Sequence, residues 1–213
     1  MRNFSLAGVL ALLSSAVLAA EVAQPARCSY EYSVWNVKRK TSSRRVKVDK
    51  PYAELTAAER SPEGCTPCRE DQDEVTLSNG LRFQACRKLA PAFQKALELA
   101  LAGGQRIVTV VGYRAQMSRG EADAHGDRTV LSNHAFGSAL DLNEEHNGLY
   151  ENCEAWSPRC RLRKDGPYKP GVDPLSFTDE SPVVKALGEA GFHWGGRIAG
   201  RQKDFMHFSP SGY

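Results

Sequence analysis

Apolar and polar side chains alternate along two neighbouring stretches, "CSYEYSVWNV" at residues 28–37 and "RRVKVDK" at residues 44–50. A period of two residues is typical of a β-strand with one buried face. The polar run between the two stretches predicts a turn, so together they predict a β-hairpin. A second hairpin is predicted in "VTLSNGLRF", residues 75–83, because Asn79-Gly80 is a favoured two-residue turn between alternating apolar positions.

A helical period follows in residues 86–104. The apolar residues there recur three and four positions apart: Leu89, Phe93, Leu97 and Ala100. Gly103, at the end of this run, is a plausible helix stop. A second, shorter helix is predicted from Ser181, which could cap it, with Pro182 in its first position.

The rest of the chain predicts three strands and two loops. The β-rich run "RIVTVVGYR", residues 106–114, predicts a central strand, and residues 138–142 and 205–208 predict two more. Residues 115–130 are polar and predict a loop, and residues 143–176 predict a long irregular segment. Strands and helices without regular βαβ alternation indicate an α+β fold, with helices packed on an antiparallel sheet.

The first twenty residues have the pattern of a secretory signal peptide. Arg2 precedes the apolar run "LAGVLALLSSAVLAA", which ends in the small residues Ala19 and Ala20. This run is too short to span a bilayer comfortably, and no other segment approaches that length. We therefore expect a secreted or periplasmic protein without stable membrane insertion.

The charge pattern leaves two interpretations of one segment. The formal net charge of +3 does not by itself imply a nucleic-acid partner, and none is expected. Seven of the thirteen residues from Lys38 to Lys50 are nevertheless basic. The favoured interpretation is a solvated hairpin whose edge is protected by charge. The alternative is a patch that attracts an anionic polymer such as a cell-wall glycan.

The chain has six cysteines, and all of them follow the signal segment. An even number in an exported chain predicts three disulfides. Cys153 and Cys160 are close enough in sequence to pair locally, and the other four are expected to pair among themselves and tie the amino-terminal region to Cys86. Cys65 and Cys68 form a CxxC, but without a second CxxC or a βαβ pattern a structural bridge is favoured over zinc or redox chemistry.

Three residues have the chemistry of a zinc site: His134, Asp141 and His207. Zinc binds imidazole nitrogen and carboxylate oxygen, and a catalytic site leaves the fourth position to water. Asp204 lies three residues before His207, which on a straight strand would place their side chains on opposite faces. A bend around Phe205 is therefore needed if Asp204 is to act beside the metal as a proton acceptor.

The joint pattern resembles a known family. Residues 132–141, "SNHAFGSALD", fit S-x-H-x-x-G-x-A-x-D at every fixed position, and "WGG" (194–196) and "DFMHF" (204–208) follow in order. This resembles the zinc D-alanyl-D-alanine carboxypeptidases of the VanY and VanX type. It is also similar to the related L-alanyl-D-glutamate endopeptidases of phage lysins, which share the hedgehog-like fold. The likeness covers roughly residues 76–213 and includes the "GYR" that ends at Arg114.

The resemblance implies a role for each matching residue. His134, Asp141 and His207 would be the Zn²⁺ ligands, and Asp204 would be the general base. Arg114 would stabilise the oxyanion or hold a substrate carboxylate. The implied substrate-binding positions are Ser132, just outside the ligands, Trp194, as a wall of the cleft, and His193, for which a structural use is equally open. Some members have Glu at the base position, whereas the lysin-like endopeptidases have Asp. Asp204 therefore makes the chain more similar to the endopeptidases at this position.

The sequence thus predicts a signal peptide at 1–20, a disulfide-tethered extension at 21–75 and a hedgehog/D,D-peptidase-like zinc peptidase domain at 76–213. The expected function is hydrolysis of peptidoglycan stem peptides by a monomeric enzyme, with the D-alanyl-D-alanine carboxypeptidase type favoured over the endopeptidase. Two alternatives stay open. One is a non-catalytic, zinc-containing cell-wall binding module of the same fold, and the other is a disulfide-stabilised interaction domain without zinc.

Overall fold

The computed structural model describes residues 24–213, so the predicted signal peptide lies outside the described residues. The strands are β1 (Arg27–Asn36), β2 (Thr41–Pro51), β3 (Gln72–Thr76), β4 (Arg82–Cys86), β5 (Val110–Val111), β6 (Gln116–Ala122), β7 (Arg128–Leu131), β8 (Leu140–Leu142), β9 (Leu149–Glu151), β10 (Arg161–Lys164), β11 (His193–Trp194), β12 (Gln202–Asp204) and β13 (His207–Ser209). The α-helices are α1 (Ala90–Ala102) and α2 (Pro182–Glu189). Short 3₁₀ helices are Tyr52–Glu54, Ala57–Glu59, Arg69–Asp71, Asn133–Phe136, Glu144–His146 and Gly195–Arg197.

These strands form four small sheets in the described part of the chain. Their strand orders are β2-β1-β6-β7, β10-β9-β12, β11-β13-β8-β5 and β3-β4. All pairs are antiparallel except the short pairing of β1 with β6. The predicted α+β class is confirmed. The prediction of one antiparallel sheet is corrected, since the strands are short and divide among several sheets.

Both predicted hairpins are present. β1 and β2 pair along almost their whole length, and β3 and β4 flank the turn at Asn79-Gly80. The buried face of the first hairpin packs on the segment that follows it, where Tyr52 and Leu55 are buried. Glu59, at the end of that segment, accepts hydrogen bonds from Tyr30 Oη at 2.6 Å and Lys50 Nζ at 2.7 Å. This buried network fixes the segment against the hairpin.

All six cysteines form disulfides, in the pairs Cys28–Cys68, Cys65–Cys86 and Cys153–Cys160. The predicted local bridge between Cys153 and Cys160 is confirmed. The other four cysteines pair among themselves, as predicted, and tie the amino-terminal region to Cys86 at the end of β4. The two members of the CxxC join different partners, so this motif acts as a structural staple. The proposed domain boundary at residue 75 falls inside β3.

The main core lies between the two helices and the sheets beside them. α1 buries the face predicted from its period, and its Phe93 stacks on Phe192 with ring centroids 3.9 Å apart. α2 begins at Pro182 as predicted. The Ser181 side chain does not cap it, because its hydroxyl accepts the backbone N–H of Thr178 instead. No helix within residues 24–213 has both the length and the hydrophobicity to cross a bilayer.

Residues 106–114 do not form the predicted central strand. Only Val110–Val111 is a strand, β5, and it lies at the edge of its sheet. The physical reason is that Asn143 Oδ1 accepts the N–H groups of Val108 and Thr109, at 2.8 and 3.3 Å, in place of a neighbouring strand.

The predicted loops also contain strands. Residues 115–130 include the hairpin formed by β6 and β7, and residues 143–176 include the short strands β9 and β10. β6 is mostly polar, and all seven of its residues are partly or fully exposed. Its hydrophobic pattern is therefore weak, although its backbone pairs on both sides.

Candidate metal centre

His134 is positioned by a tight turn. It lies in the 3₁₀ helix Asn133–Phe136, which follows β7 and ends at Gly137 with a φ of 64°. A Cβ at residue 137 would also overlap Gln72 Oε1 and the backbone nitrogen of Cys86, so both the conformation and the space require glycine. The turn leads the chain directly into β8, which carries Asp141.

Asp141 and His207 are brought together by strand register. Asp141 of β8 lies opposite His207 of β13, and His193 of β11 lies opposite Ser209 of β13. Directly opposed side chains point to the same side of a sheet, so these four residues share one face. The other face of the same sheet is apolar and belongs to the core, with buried Leu140, Leu142, Trp194 and Phe208.

Both histidines point at the same carboxylate oxygen. His134 Nε2 lies 3.0 Å from Asp141 Oδ1, and His207 Nδ1 lies 3.1 Å from that atom. His134 Nδ1 is 2.8 Å from the carbonyl oxygen of Gly112 and donates to it, so Nε2 carries the lone pair. A lone pair then faces a carboxylate oxygen with no proton between them. A cation bound between these atoms satisfies both acceptors, and this residue set fits zinc.

Burial and charge set suitable protonation states for metal ligands. Burial lowers the pKa of His134, which favours the neutral imidazole. Burial alone would raise the pKa of Asp141, but the interactions with His134 and His207 outweigh it and hold this pKa well below its usual value. Neutral imidazole and ionised carboxylate are the forms that bind a divalent metal ion.

Arg114 contacts the ligand residues directly. Its Nη2 donates to Asp141 Oδ2 at 2.8 Å, and its backbone N–H donates to the carbonyl oxygen of His134 at 3.1 Å. The side chain is 38% exposed, so part of the guanidinium also faces solvent. The contact with Asp141 was not foreseen from the sequence, which suggested only an oxyanion or substrate role.

The bend that the sequence required between Asp204 and His207 is present. Asp204 ends β12, Phe205 and Met206 reverse the chain, and His207 begins β13. Trp194 Nε1 donates to the carbonyl oxygen of Phe205 at 2.7 Å. A Cβ at Gly195 would overlap the backbone oxygen of Asp204. The "WGG" segment therefore packs directly against the turn that places Asp204 beside His207.

The carboxyl group of Asp204 has a raised pKa. Its Oδ1 is inaccessible to solvent and has no hydrogen-bond partner among residues 24–213. Burial, and after it the negative charge of Asp141, raise the pKa of Asp204 to about 7. A pKa near the working pH suits a group that both takes and returns a proton. A divalent cation bound nearby would lower this pKa.

The three predicted substrate-binding residues lie in different surroundings. Ser132 is buried directly before the 3₁₀ helix of His134, and its Oγ has no hydrogen-bond partner among the described residues. His193 is exposed at the edge strand, on the face that carries Asp141 and His207. Trp194 is 5% exposed, packs against the turn at Phe205 through its indole N–H, and also lines two open surface cavities.

Two charged residues around the site, Lys164 beside Asp204 and Glu144 near Asp141, were not identified from the sequence. The register of the sheet β10-β9-β12 places Lys164, Leu149 and Asp204 side by side. Glu144 follows shortly after Asp141, and burial together with the charge of Asp165 raises its pKa. Both lie in or next to the segment 143–176, which has no period that could have indicated them.

The fold and the site thus define a candidate mononuclear metal centre with two histidines and one aspartate. Residues 125–210 match the model of the family Peptidase_M15_4, which is described as D-alanyl-D-alanine carboxypeptidase. This match confirms the resemblance predicted from the sequence, and the matched segment contains His134, Asp141, Asp204 and His207. It does not include Arg114 or the amino-terminal extension. No curated protein and no solved structure matches the chain.

Proposed function

We propose that this protein is a zinc-dependent peptidase that hydrolyses peptidoglycan stem peptides, of the D-alanyl-D-alanine carboxypeptidase type. The observation that carries the proposal is the convergence of His134 Nε2 and His207 Nδ1 on Asp141 Oδ1, with Asp204 beside them. The family match over residues 125–210 supports both the metallopeptidase class and the type of substrate.

In this proposal His134, Asp141 and His207 hold the zinc ion. Zinc with three such ligands supplies a Lewis acid that polarises a carbonyl group and lowers the pKa of water. The Gly112 carbonyl fixes the tautomer and ring orientation of His134, and Arg114 fixes the carboxylate of Asp141. Such contacts behind the ligands usually contribute substantially to metal affinity.

Asp204 is the proposed general base. Its ionised carboxylate takes a proton from the attacking water, and the resulting carboxyl group returns that proton to the leaving amine. The buried position of Asp204 supports this role, because a carboxylate with a raised pKa is a stronger base than an exposed one. Retention of this residue also favours an enzyme over a non-catalytic zinc module of the same fold.

Substrate contacts are assigned to groups on the open side of the centre. The exposed part of Arg114 can bind the developing oxyanion or a substrate carboxylate while Nη2 stays on Asp141. His193, on the same sheet face as the ligands, is placed to hydrogen-bond a peptide. Ser132 and Trp194 act from buried positions. Ser132 precedes the 3₁₀ helix that carries His134, and Trp194 holds the turn at Phe205.

The proposal includes export and a single peptidase domain. Three disulfides support an oxidising compartment, which for a wall peptidase means secretion or the periplasm. We propose residues 21–75 as the disulfide-tethered extension and residues 76–213 as a monomeric peptidase domain, with strand β3 crossing this boundary.

Digestion of a defined substrate tests the function. Zinc-loaded protein is incubated with a pentapeptide stem that ends in D-alanyl-D-alanine, and mass spectrometry identifies the products. Free D-alanine is expected, and amidation of the terminal carboxylate is expected to suppress its release. Cleavage between L-alanine and D-glutamate, with the D-alanyl end intact, would identify an endopeptidase. Stable zinc binding without cleavage of either bond would indicate the non-catalytic module.

A further inference from the structure

The positive charge of the chain is concentrated in one hairpin. Residues 38–50 contain seven basic residues and one acidic residue, a net charge of +6, whereas the whole chain carries +3. The remainder of the chain is therefore net negative. Such an asymmetry creates a local positive potential that the overall charge does not reveal.

The basic side chains are exposed, and two of them have partners within the chain: Lys38 Nζ donates to the carbonyl oxygen of Ala124 at 2.7 Å, and Arg39 lies 3.8 Å from Asp127. We call the exposed residues Lys38, Arg39, Lys40, Arg44, Arg45 and Lys47 the basic hairpin. The side chains of Arg45 and Lys47 are 80% and 86% exposed. They share one acidic neighbour, Glu31, at 3.4 and 3.9 Å, so this pairing leaves an excess positive charge.

Two of these residues, Arg45 and Lys47, lie on the outer face of the hairpin. Arg45 lies opposite Ser33 and Lys47 opposite Glu31, so these side chains point away from the inner face, where Tyr30 opposes Val48. The inner face is covered, because Tyr30 packs with Tyr52 and Leu55.

Edge protection alone does not account for this pattern. Charges that prevent pairing with another chain are needed along the free edge strand, which here is β2. Lys38, Arg39 and Lys40 lie in the turn between β1 and β2. Half of the basic hairpin therefore lies where there is no strand edge to protect.

The basic hairpin is firmly attached to the metal centre. In the sheet β2-β1-β6-β7, β6 begins shortly after Arg114 and β7 ends shortly before His134. Gln116 Nε2 donates to Ser42 Oγ at 2.8 Å, which joins β6 to β2. A polymer bound to the hairpin would therefore be held in a fixed relation to the site.

We propose that the basic hairpin docks the protein on peptidoglycan through the carboxylates of stem peptides that neighbour the one being cut. The nature of this polymer rests on the proposed function. A peptidoglycan strand presents many acidic peptides in series, and several weak ion pairs with one polymer add up to useful avidity. Exposed ion pairs are screened by salt, so this docking weakens as ionic strength rises.

Charge-matched variants test the docking. The hairpin variant Arg44→Gln/Arg45→Gln/Lys47→Gln is compared with Arg82→Gln/Lys95→Gln/Lys185→Gln, which removes the same charge from exposed positions elsewhere. Both variants and the unaltered protein are sedimented with purified sacculi freed of phosphate polymers. We expect the hairpin variant to bind roughly tenfold more weakly at low salt, and the control variant to bind like the unaltered protein. Amidation of the sacculus carboxylates should remove the difference.

Equal sedimentation of both variants would overturn the docking proposal. The same holds if binding requires phosphate-rich walls or DNA, or survives carboxylate amidation. Turnover of a soluble stem peptide separates this inference from the proposed function. We expect the hairpin variant to keep its kcat/KM on that peptide and to lose activity on intact sacculi. Hairpin-dependent sedimentation of a protein that cleaves no peptide would refute the enzyme and retain the docking surface.

Discussion

Arg114 and Asp141 form an ion pair in which Nη2 donates to Oδ2 at 2.8 Å, while the other carboxylate oxygen faces His134 and His207. The arginine therefore holds the carboxylate in the orientation that aims Oδ1 at the two imidazoles. A residue that the sequence suggested for oxyanion or substrate binding is thus also attached to a proposed metal ligand. Its replacement should affect the metal as well as the reaction.

The first prediction separates these roles of Arg114. Arg114→Ala should weaken zinc binding by roughly 10–100-fold, because the orienting contact to Asp141 is lost. Arg114→Lys should restore part of the zinc affinity, since an ammonium group can reach one oxygen but lacks the planar fork. Competition with a chromogenic chelator measures both. Unchanged zinc affinity in Arg114→Ala, with reduced turnover, would show that Arg114 acts on the substrate alone.

The second prediction concerns the metal itself. Purified protein should contain about one equivalent of zinc, and a chelator should abolish activity, because the three ligands form a single site. His134→Ala should lose both metal and activity, whereas the control His125→Ala should keep both, since His125 is exposed in the turn between β6 and β7 and is not part of the ligand cluster. Elemental analysis gives the stoichiometry. A His134→Ala/His207→Ala double variant that still held one zinc would exclude this ligand set.

The third prediction concerns Asp204 in the zinc-loaded enzyme. Asp204→Asn should keep the zinc and lower turnover by about 10²–10⁴-fold, because the proton acceptor is removed. The unaltered enzyme should gain activity as pH rises through the pKa of Asp204. This pKa is about 7 without metal, and a bound divalent cation lowers it. Rates measured from pH 5 to 8 test both statements. Near-normal turnover of the variant would move the base elsewhere, with His193 the next candidate.

The same residue should reduce the stability of the metal-free fold. The folded-state pKa of Asp204 is raised, so its stabilising contribution is complete below the unfolded pKa and is lost as pH rises toward about 7. At pH 8, metal-free Asp204→Asn should therefore be more stable than the unaltered protein by about 1–3 kcal/mol, and so unfold at a higher temperature. The difference should shrink at pH 4. An equal or lower Tm at pH 8 would contradict it.

Local sequence patterns predicted the hairpins and helices because their signals lie within a few residues. Asn79-Gly80 marks one turn, and the helical period of α1 contains its own stop at Gly103. β6 and β7 could not be predicted in this way. β6 has no apolar period, all of its residues are partly or fully exposed, and part of its pairing is with β1, which lies far away in sequence. The prediction of a strand at 106–114 was wrong although its local pattern is strong. The distant side chain of Asn143 accepts the N–H groups of Val108 and Thr109, which a neighbouring strand would need.

The residues of the candidate site could be predicted from the sequence, but the contacts that orient them could not. The motif at residues 132–141 joined His134 and Asp141 in one candidate site, and the structure places a tight turn at Gly137 between them. The contacts that orient these groups are long-range and involve backbone atoms or distant charges. The Gly112 carbonyl behind His134 and the guanidinium on Asp141 have no local signature. The burial that raises the pKa of Asp204 likewise exists only in the folded chain.

The last prediction concerns Trp194, whose indole N–H reaches the Phe205 carbonyl in the turn between Asp204 and His207. Trp194→Phe keeps most of the apolar volume but leaves this buried carbonyl without its donor, which should cost about 1–3 kcal/mol of folding free energy. A looser turn should also displace Asp204 relative to His207, so kcat should fall further than overall destabilisation explains. The control is Phe93→Leu, a core change in α1, away from the turn. At a temperature where both variants are fully folded, Phe93→Leu should keep its kcat and zinc affinity, and Trp194→Phe should lose kcat. Equal kcat values in the two variants would show that Trp194 serves the core alone.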